Sequence, residues 1–404
     1  MQVGKISSFT AINPHYQATA PIQINKALRT DRFERLSFKG EEGNMPVKVE
    51  DFGITKAGEM SHLYTITNKN GASVSVSDFG AMVTSIKVPD KNGKLVDVAQ
   101  GYNNVTPYLE GKTGHPGGTI GPVASKTMNG TFRIDADGEE YQLDCNKDGG
   151  KTSSHGAIHG LDIKHWKTAE ILEDGVKFTY SKEDGEGGHP GNMDISVTYR
   201  FDDDNNLHIK YGATTDKDTI LNLTNHTYFN LSGAQNAKED SILEHRVQFD
   251  KSIHYTPANE LGIPTGDLAQ TEGTAFDFKR NRTIGYAIKQ ADPSELASGG
   301  FDHNFCIDGY DGKSMISFAR VKSPETGIVL RAATNLPGFQ LYTANNLNPE
   351  PAGKEGKQYQ KRSALCIEPQ FYPNAINTEG FEKPILRAGE TYDREIVYSF
   401  STER

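Results

Sequence analysis

Two titratable side chains stand in stretches that otherwise read as strand. His226 lies within Leu221-Asn222-Leu223-Thr224-Asn225-His226-Thr227-Tyr228-Phe229-Asn230-Leu231, and Glu368 closes the apolar run Ala364-Leu365-Cys366-Ile367. A neutral imidazole exchanges a proton near neutral pH. A carboxylate drawn out of water gains proton affinity, the condition for a general base that works at that pH. Taken singly, each has a plainer reading, the histidine as a hydrogen-bonded residue of a sandwich interior and the carboxylate as the partner of an Arg or Lys. What favours chemistry is the company of His226. Side chains alternate across a strand, so His226, Tyr228 and Asn230 are expected on one face and Thr227, Phe229 and Leu231 on the other. The first face reads as the polar wall of a pocket.

Further candidates lie in loops. His155 sits in Ser153-Ser154-His155-Gly156-Ala157-Ile158-His159-Gly160. His155 and His159 have the spacing of two ligands on a helix, but the glycines oppose a helix and no Glu follows the first His, so no metal site is expected. A loop histidine beside a hydroxylated ligand fits better. Gly185-Glu186-Gly187-Gly188-His189-Pro190-Gly191 lacks phosphate-loop spacing and reads as a surface turn. Asp302, after Gly299-Gly300-Phe301, can accept hydrogen bonds from ligand hydroxyls or simply close an Asx turn. Gln340 adds an amide.

The elements that must carry these groups are strands. From about residue 47 the pattern has period two, clearest at Ile195, Val197, Tyr199 and Phe201, followed by an Asp/Asn-rich turn and then Leu207, Ile209 and Tyr211, an antiparallel hairpin. Asn70-Gly71, Asn92-Gly93, Asn129-Gly130, Asp137-Gly138 and Asp174-Gly175 are turn pairs suited to positive φ. A last strand is expected through Ile396, Tyr398 and Phe400, and one short helix over Thr283–Gln290. The fold class is all-β, a sandwich or barrel. Residues 1–46 show no sustained apolar period and read as an N-terminal extension, partly disordered, before a single domain over 47–404.

Composition narrows the partners. The 404 residues carry a net charge of -10, with a pI near 5.7. Nucleic acid and anionic membrane surfaces are therefore not expected partners, whereas a neutral small molecule is. Cys145, Cys306 and Cys366 are odd in number and widely spaced, which outlines neither a disulfide scaffold nor a zinc site. With no apolar leader segment and no run of about 20 apolar residues, the expected location is cytoplasmic. No oligomeric state is read from the sequence.

Across residues 47–403 the motifs, in order, resemble the aldose 1-epimerase or galactose mutarotase family. They are Gly118-Thr119-Ile120-Gly121, His155-Gly156 with Trp166, Asp184-Gly185-Glu186-Gly187, Pro190-Gly191, Thr224–Leu231, Ile263-Pro264-Thr265-Gly266, Phe276-Asp277-Phe278, Phe301-Asp302-His303-Asn304, Pro337-Gly338-Phe339-Gln340, Tyr342-Thr343, Glu368-Pro369-Gln370 and Pro373–Asn377. The resemblance implies a large antiparallel β-sandwich with a cleft across one sheet. It makes Glu368 the base at the C1 hydroxyl and His226 the acid at the ring oxygen, with ring opening, rotation about C1–C2 and reclosure interconverting the α and β anomers of galactose and glucose without a cofactor. His155, Asp302 and Gln340 would hold the sugar. Ser125 and Lys126 stand where the family pattern has a sugar-contacting Asn and Arg. Lys126 keeps the charge without the planar fork, so preference is expected to differ from the family's. Two alternatives remain, a hexose-6-phosphate 1-epimerase of similar fold and a non-catalytic sugar-binding module. Base and acid are expected on opposite sides of the pocket.

Overall fold

Alternating apolar residues build the largest element. In the hairpin Met193–Phe201 and Asn206–Thr215, Val197 faces Tyr211 and Tyr199 faces Ile209, all buried, while Asp194 and Arg200 point out. The computed structural model describes residues 47–109, 113–296, 298–348 and 352–404. The extension expected over 1–46 lies outside the described residues. The hairpin belongs to a nine-stranded antiparallel sheet. In its centre the late strand Tyr392–Thr402 lies between Asn206–Thr215 and Ile328–Thr334, with Ile396, Tyr398 and Phe400 buried as the alternation predicts.

Two five-stranded sheets complete the sandwich. One is the meander from Val47–Ile54 to Leu95–Asp97; the other runs in the order Ala269–Gln270, His254–Tyr255, Asp302–Cys306, Gly338–Tyr342, Cys366–Gln370. Val74 and Val76 of the first sheet, Phe178 and Tyr398 of the large one, and Phe305, Phe339 and Ile367 of the third share one hydrophobic core. The third sheet therefore spends one face on packing, and its other face is free for a ligand. The expected helix forms over Ile284–Gln290, its first turn capped by the Thr283 hydroxyl accepting from the Tyr286 N–H.

Two local expectations are corrected. Leu221–Leu231 is not one strand. Thr224–Asn225 pairs with Thr119–Ile120, and the rest is held by isolated bridges, Asn222 to Val123 and Phe229 to Ala99 and Leu365. His226 and Tyr228 of the expected polar face line a cleft, but the asparagines tie an irregular chain to its surroundings. Asn225 bonds the Gly117 carbonyl, and Asn230 bonds the carbonyls of Asn236 and Ser363. Side chains of this kind compete with ladder bonds for the backbone. Of the five turn pairs, Gly71, Gly93 and Asn129-Gly130 take positive φ, whereas Gly138 and Gly175 do not. Gly175 is instead the first residue of a strand, where a Cβ would meet the Tyr199 carbonyl oxygen at 2.0 Å.

Candidate active site

Strand register explains which side chains reach the free face of the third sheet. Across Asp302–Cys306, Gly338–Tyr342 and Cys366–Gln370, one row aligns Asn304, Gln340 and Glu368, and the next aligns Asp302, Tyr342 and Cys366. Because the period is two, Cys366, Glu368 and Gln370 share this face while Leu365 and Ile367 turn into the core. Glu368 is thus a mid-strand residue rather than the end of an apolar run. A cleft of about 580 Å³ lies over the face.

The second wall is the irregular segment around His226. Gly117 and Gly118 stitch it in place. The Gly117 N–H donates to the His226 carbonyl at 2.9 Å, and the His226 N–H donates to the Gly118 carbonyl at 3.1 Å. Gly117 must be glycine, with φ +74° and a Cβ position 1.8 Å from the Val83 oxygen. Thr119, next along, bonds the Ala81 carbonyl together with the hydroxyl of Tyr199 from the large sheet. The ring of Tyr228 stacks on His226 at 4.9 Å between centroids.

His226 and Glu368 both line this cleft. Nε2 of His226 is 3.7 Å from Oε2 of Glu368, both side chains being almost wholly buried. The expectation of opposite walls is corrected, since the two groups are neighbours. The hemiacetal hydroxyl and the ring oxygen are bonded to the same carbon, so an acid and a base serving them must converge. Burial dominates their protonation. It raises Glu368 well above the usual carboxylate value, helped by the negative charge of Asp302. It lowers His226 to about 3, helped by His115. Burial thus favours one proton on the pair, carried by the carboxyl, with the imidazole neutral. Cys366 completes the picture. Its Sγ is 3.4 Å from Nδ1 of His226, and burial keeps it a thiol. This contact occupies Nδ1 and leaves Nε2 as the nitrogen that faces Glu368.

The other residues singled out in the sequence also line the cleft: His155, Asp302, Gln340, Ser125 and Lys126. His155 has its Nδ1 accepting from the Ser125 N–H at 3.3 Å, and burial followed by the charges of His115 and His226 holds it well below the usual histidine value. Gln340 donates to Oδ1 of Asp302 at 2.8 Å, and its own Oε1 is buried without a partner. Lys126 is already engaged, bonding the Leu261 carbonyl at 2.5 Å and Asp148 at 3.3 Å. His159 leaves the group, turning to Asp144 and Glu186. The loop from Gly185 is closed by its own bonds, Asp184 accepting from the Gly191 N–H.

Sequence reasoning missed His115, Lys147 and the side chain of Gln370, all of which line the cleft. Both polar atoms of Gln370 are buried without a partner. The available signal was position, since His115 lies three residues before the Gly118-Thr119-Ile120-Gly121 motif and Gln370 is two residues, hence one pleat, beyond Glu368. Ligand atoms of His226, Cys366 and Glu368 fall within 4.8 Å of one another. They make a poor metal cage, because the thiol faces Nδ1 and the carboxylate faces Nε2, so no single nitrogen joins both.

The sequence profile of the aldose 1-epimerase family matches residues 62–399. The chain is 38% identical to galactose mutarotase of Homo sapiens over 328 residues, 81% of this chain and 91% of that protein. The chain belongs to the aldose 1-epimerase family. It is 32% identical to aldose 1-epimerase of Escherichia coli K12, over 86% of this chain and 97% of that one. Among solved structures, a GalM/aldose epimerase homologue from C. elegans superposes with TM-score 0.76 at 31% identity, covering 85% of this chain and all of that one. A galactose 1-epimerase from Lactobacillus acidophilus NCFM gives 0.74 at 26% identity, covering 89% of this chain. As an aldose 1-epimerase the protein is an isomerase that interconverts the anomers of aldoses, acting on a small-molecule sugar. No helix among the described residues is long and apolar enough to cross a membrane.

Proposed function

We propose that galactose and glucose are the aldoses turned over, with Glu368 and His226 as the catalytic pair. The observation that carries this reading is their 3.7 Å approach within one cleft. In the reacting state the pair's one proton sits on the imidazole: Glu368, as carboxylate, takes the C1 hydroxyl proton while the His226 imidazolium gives its Nε2 proton to the ring oxygen, and the C1–O5 bond breaks. The aldehyde rotates about C1–C2. Reclosure reverses the transfers, with the neutral imidazole taking the proton from O5–H and the carboxyl returning one to the carbonyl oxygen. Since only protons and one C–O bond move, the pair needs no cofactor and ends each cycle as it began.

The neighbouring groups fit sugar binding. Gln340 and Gln370 direct unpartnered amide atoms at the cleft, Asp302 offers a carboxylate, and the His155 tautomer fixed by Ser125 presents Nε2–H. Lys126 acts at one remove by shaping the wall with Asp148 and Leu261 rather than forking onto two oxygens. The three cysteines are free thiols and the net charge is -10, which supports a reducing, cytoplasmic setting without nucleic-acid or membrane partners.

Polarimetric decay of freshly dissolved α-galactose and α-glucose tests the reading, with a panel of other aldoses and their 6-phosphates alongside. Acceleration by the wild type and a loss on the order of 10²-fold or more in Glu368→Gln is expected, with sugar binding retained. Near-normal turnover by that variant removes Glu368 as the base.

A further inference from the structure

The cleft holds a third imidazole that neither half of the proton exchange uses. His115 lines it, its ring centroid 5.1 Å from that of His155 and 6.0 Å from that of His226. Its Nδ1 is 2.7 Å from Oδ2 of Asp162, whose side chain is 7% exposed. A carboxylate at this distance holds Nδ1 protonated and fixes the ring, so Nε2 is left on the side away from Asp162. The anchor is rigid. Asp162 lies in a short turn over Leu161–Ile163, and its backbone and Cβ press on Gly80 and Gly118, where an added Cβ would stand 2.3 Å and 2.6 Å away.

We propose that His115, clamped by Asp162, is a positioning residue for the aldose 1-epimerase reaction, a fixed neighbouring charge that weakens the hold of His226 on the proton it delivers to the ring oxygen. The proposal rests on His226 being the acid. Its electrostatic logic is simple. A positive charge about one ring away raises the energy of a second one, and in a buried cleft the effect is screened far less than at the surface. Burial alone would lower the proton affinity of His115, but the charge and hydrogen bond of Asp162 outweigh it and hold the imidazole above its usual value. The same cation is the largest influence after burial on both other histidines.

The charged groups that face these rings are few. Around His115 they are Asp162, His155, His226 and the ammonium of Lys147, which opposes protonation. Around His226 they are His115, His155 and Glu368, with the polar contacts of Cys366 and Tyr228. Among the described residues Asp162 is the one carboxylate in contact with His115, so its neutralisation should release the imidazolium.

The test combines imidazole NMR with the pH dependence of kcat/KM for the full chain, from about pH 5 to 9, the range in which histidines titrate. In the wild type the His115 resonance is expected to titrate above the ordinary histidine value, and the His226 resonances to shift as it does. Both His115→Gln and Asp162→Asn should remove the matching inflection in kcat/KM and cost about tenfold in kcat with KM little changed, the size of one pKa unit of lost acidity. A purely structural role would lower stability and activity alike at every pH and leave the inflection in place. A wild-type His115 that titrates at or below its ordinary value, or a His226 signal indifferent to it, overturns the proposal even if neither variant folds. Should the wild type fail to accelerate mutarotation, the choice of substrate falls while the NMR titration still decides the coupling.

Discussion

At the scale of single residues, the decisive fact is that burial works on the two partners in opposite directions. Glu368 is pushed well up and His226 down to about 3, so the state holding one proton between them spans a wide window. Activity requires that state, since two protons leave no base and none leaves no acid. The kcat/KM profile attributable to the pair is therefore expected to be flat through neutrality, declining toward acid only near the low value of His226, and rate measurements in overlapping buffers check this. A sharp optimum set by an ordinary carboxylate would contradict it. Replacing Cys366 by Ala should leave the fold intact but free the His226 tautomer, with a kcat loss of about tenfold or less, the weak thiol bond being the smaller effect. The imidazole nitrogen shifts report which tautomer remains.

At the scale of elements, the sheets were legible in the residues and the walls were not. Period two located the hairpin through Ile195 and Leu207 and the final strand through Tyr398, and a continuous apolar run located the strand bearing Glu368, because each buries one face in the shared core. Period two misread Leu221–Leu231 because the side chains of Asn222, Asn225 and Asn230 there serve as partners of backbone carbonyls rather than as a strand face. Nor could it place His115, whose approach to Asp162 spans 47 residues and depends on loops with no period at all. Among these loops Gly117 holds the most, since it joins the His226 segment to His115 in a conformation denied to other residues. Gly117→Ala should cost more than about 2–3 kcal/mol and lower kcat disproportionately, because His226 and His115 shift together. Urea unfolding of the variant, read beside its kinetics, separates the two effects.

For the whole molecule, buried histidines govern acid stability, among them His155, held well below its usual value. His189, His226 and His245 are each held near 3 by burial, against about 6.5 in an unfolded chain. Between those values the unfolded state binds more protons, so stability falls as pH drops below about 6.5, by roughly 1.4 kcal/mol per pH unit for each such histidine. Glu368 acts in the reverse sense above the ordinary carboxylate value, since the folded protein then holds the proton. It is one group against several. Urea midpoints should therefore decline steeply from pH 6.5 toward 4.5, and His245→Gln, away from the cleft, should flatten that slope without touching turnover.

The centre of the large sheet is its latest strand, Tyr392–Thr402, and the Tyr398 hydroxyl donates to the Ile367 carbonyl between Cys366 and Glu368. A ribosome must therefore have delivered residue 402 before the halves on either side can zip together. Until then two raw edges stay unpaired, and a truncated product ending before residue 392 would be sticky and inert rather than merely weakened.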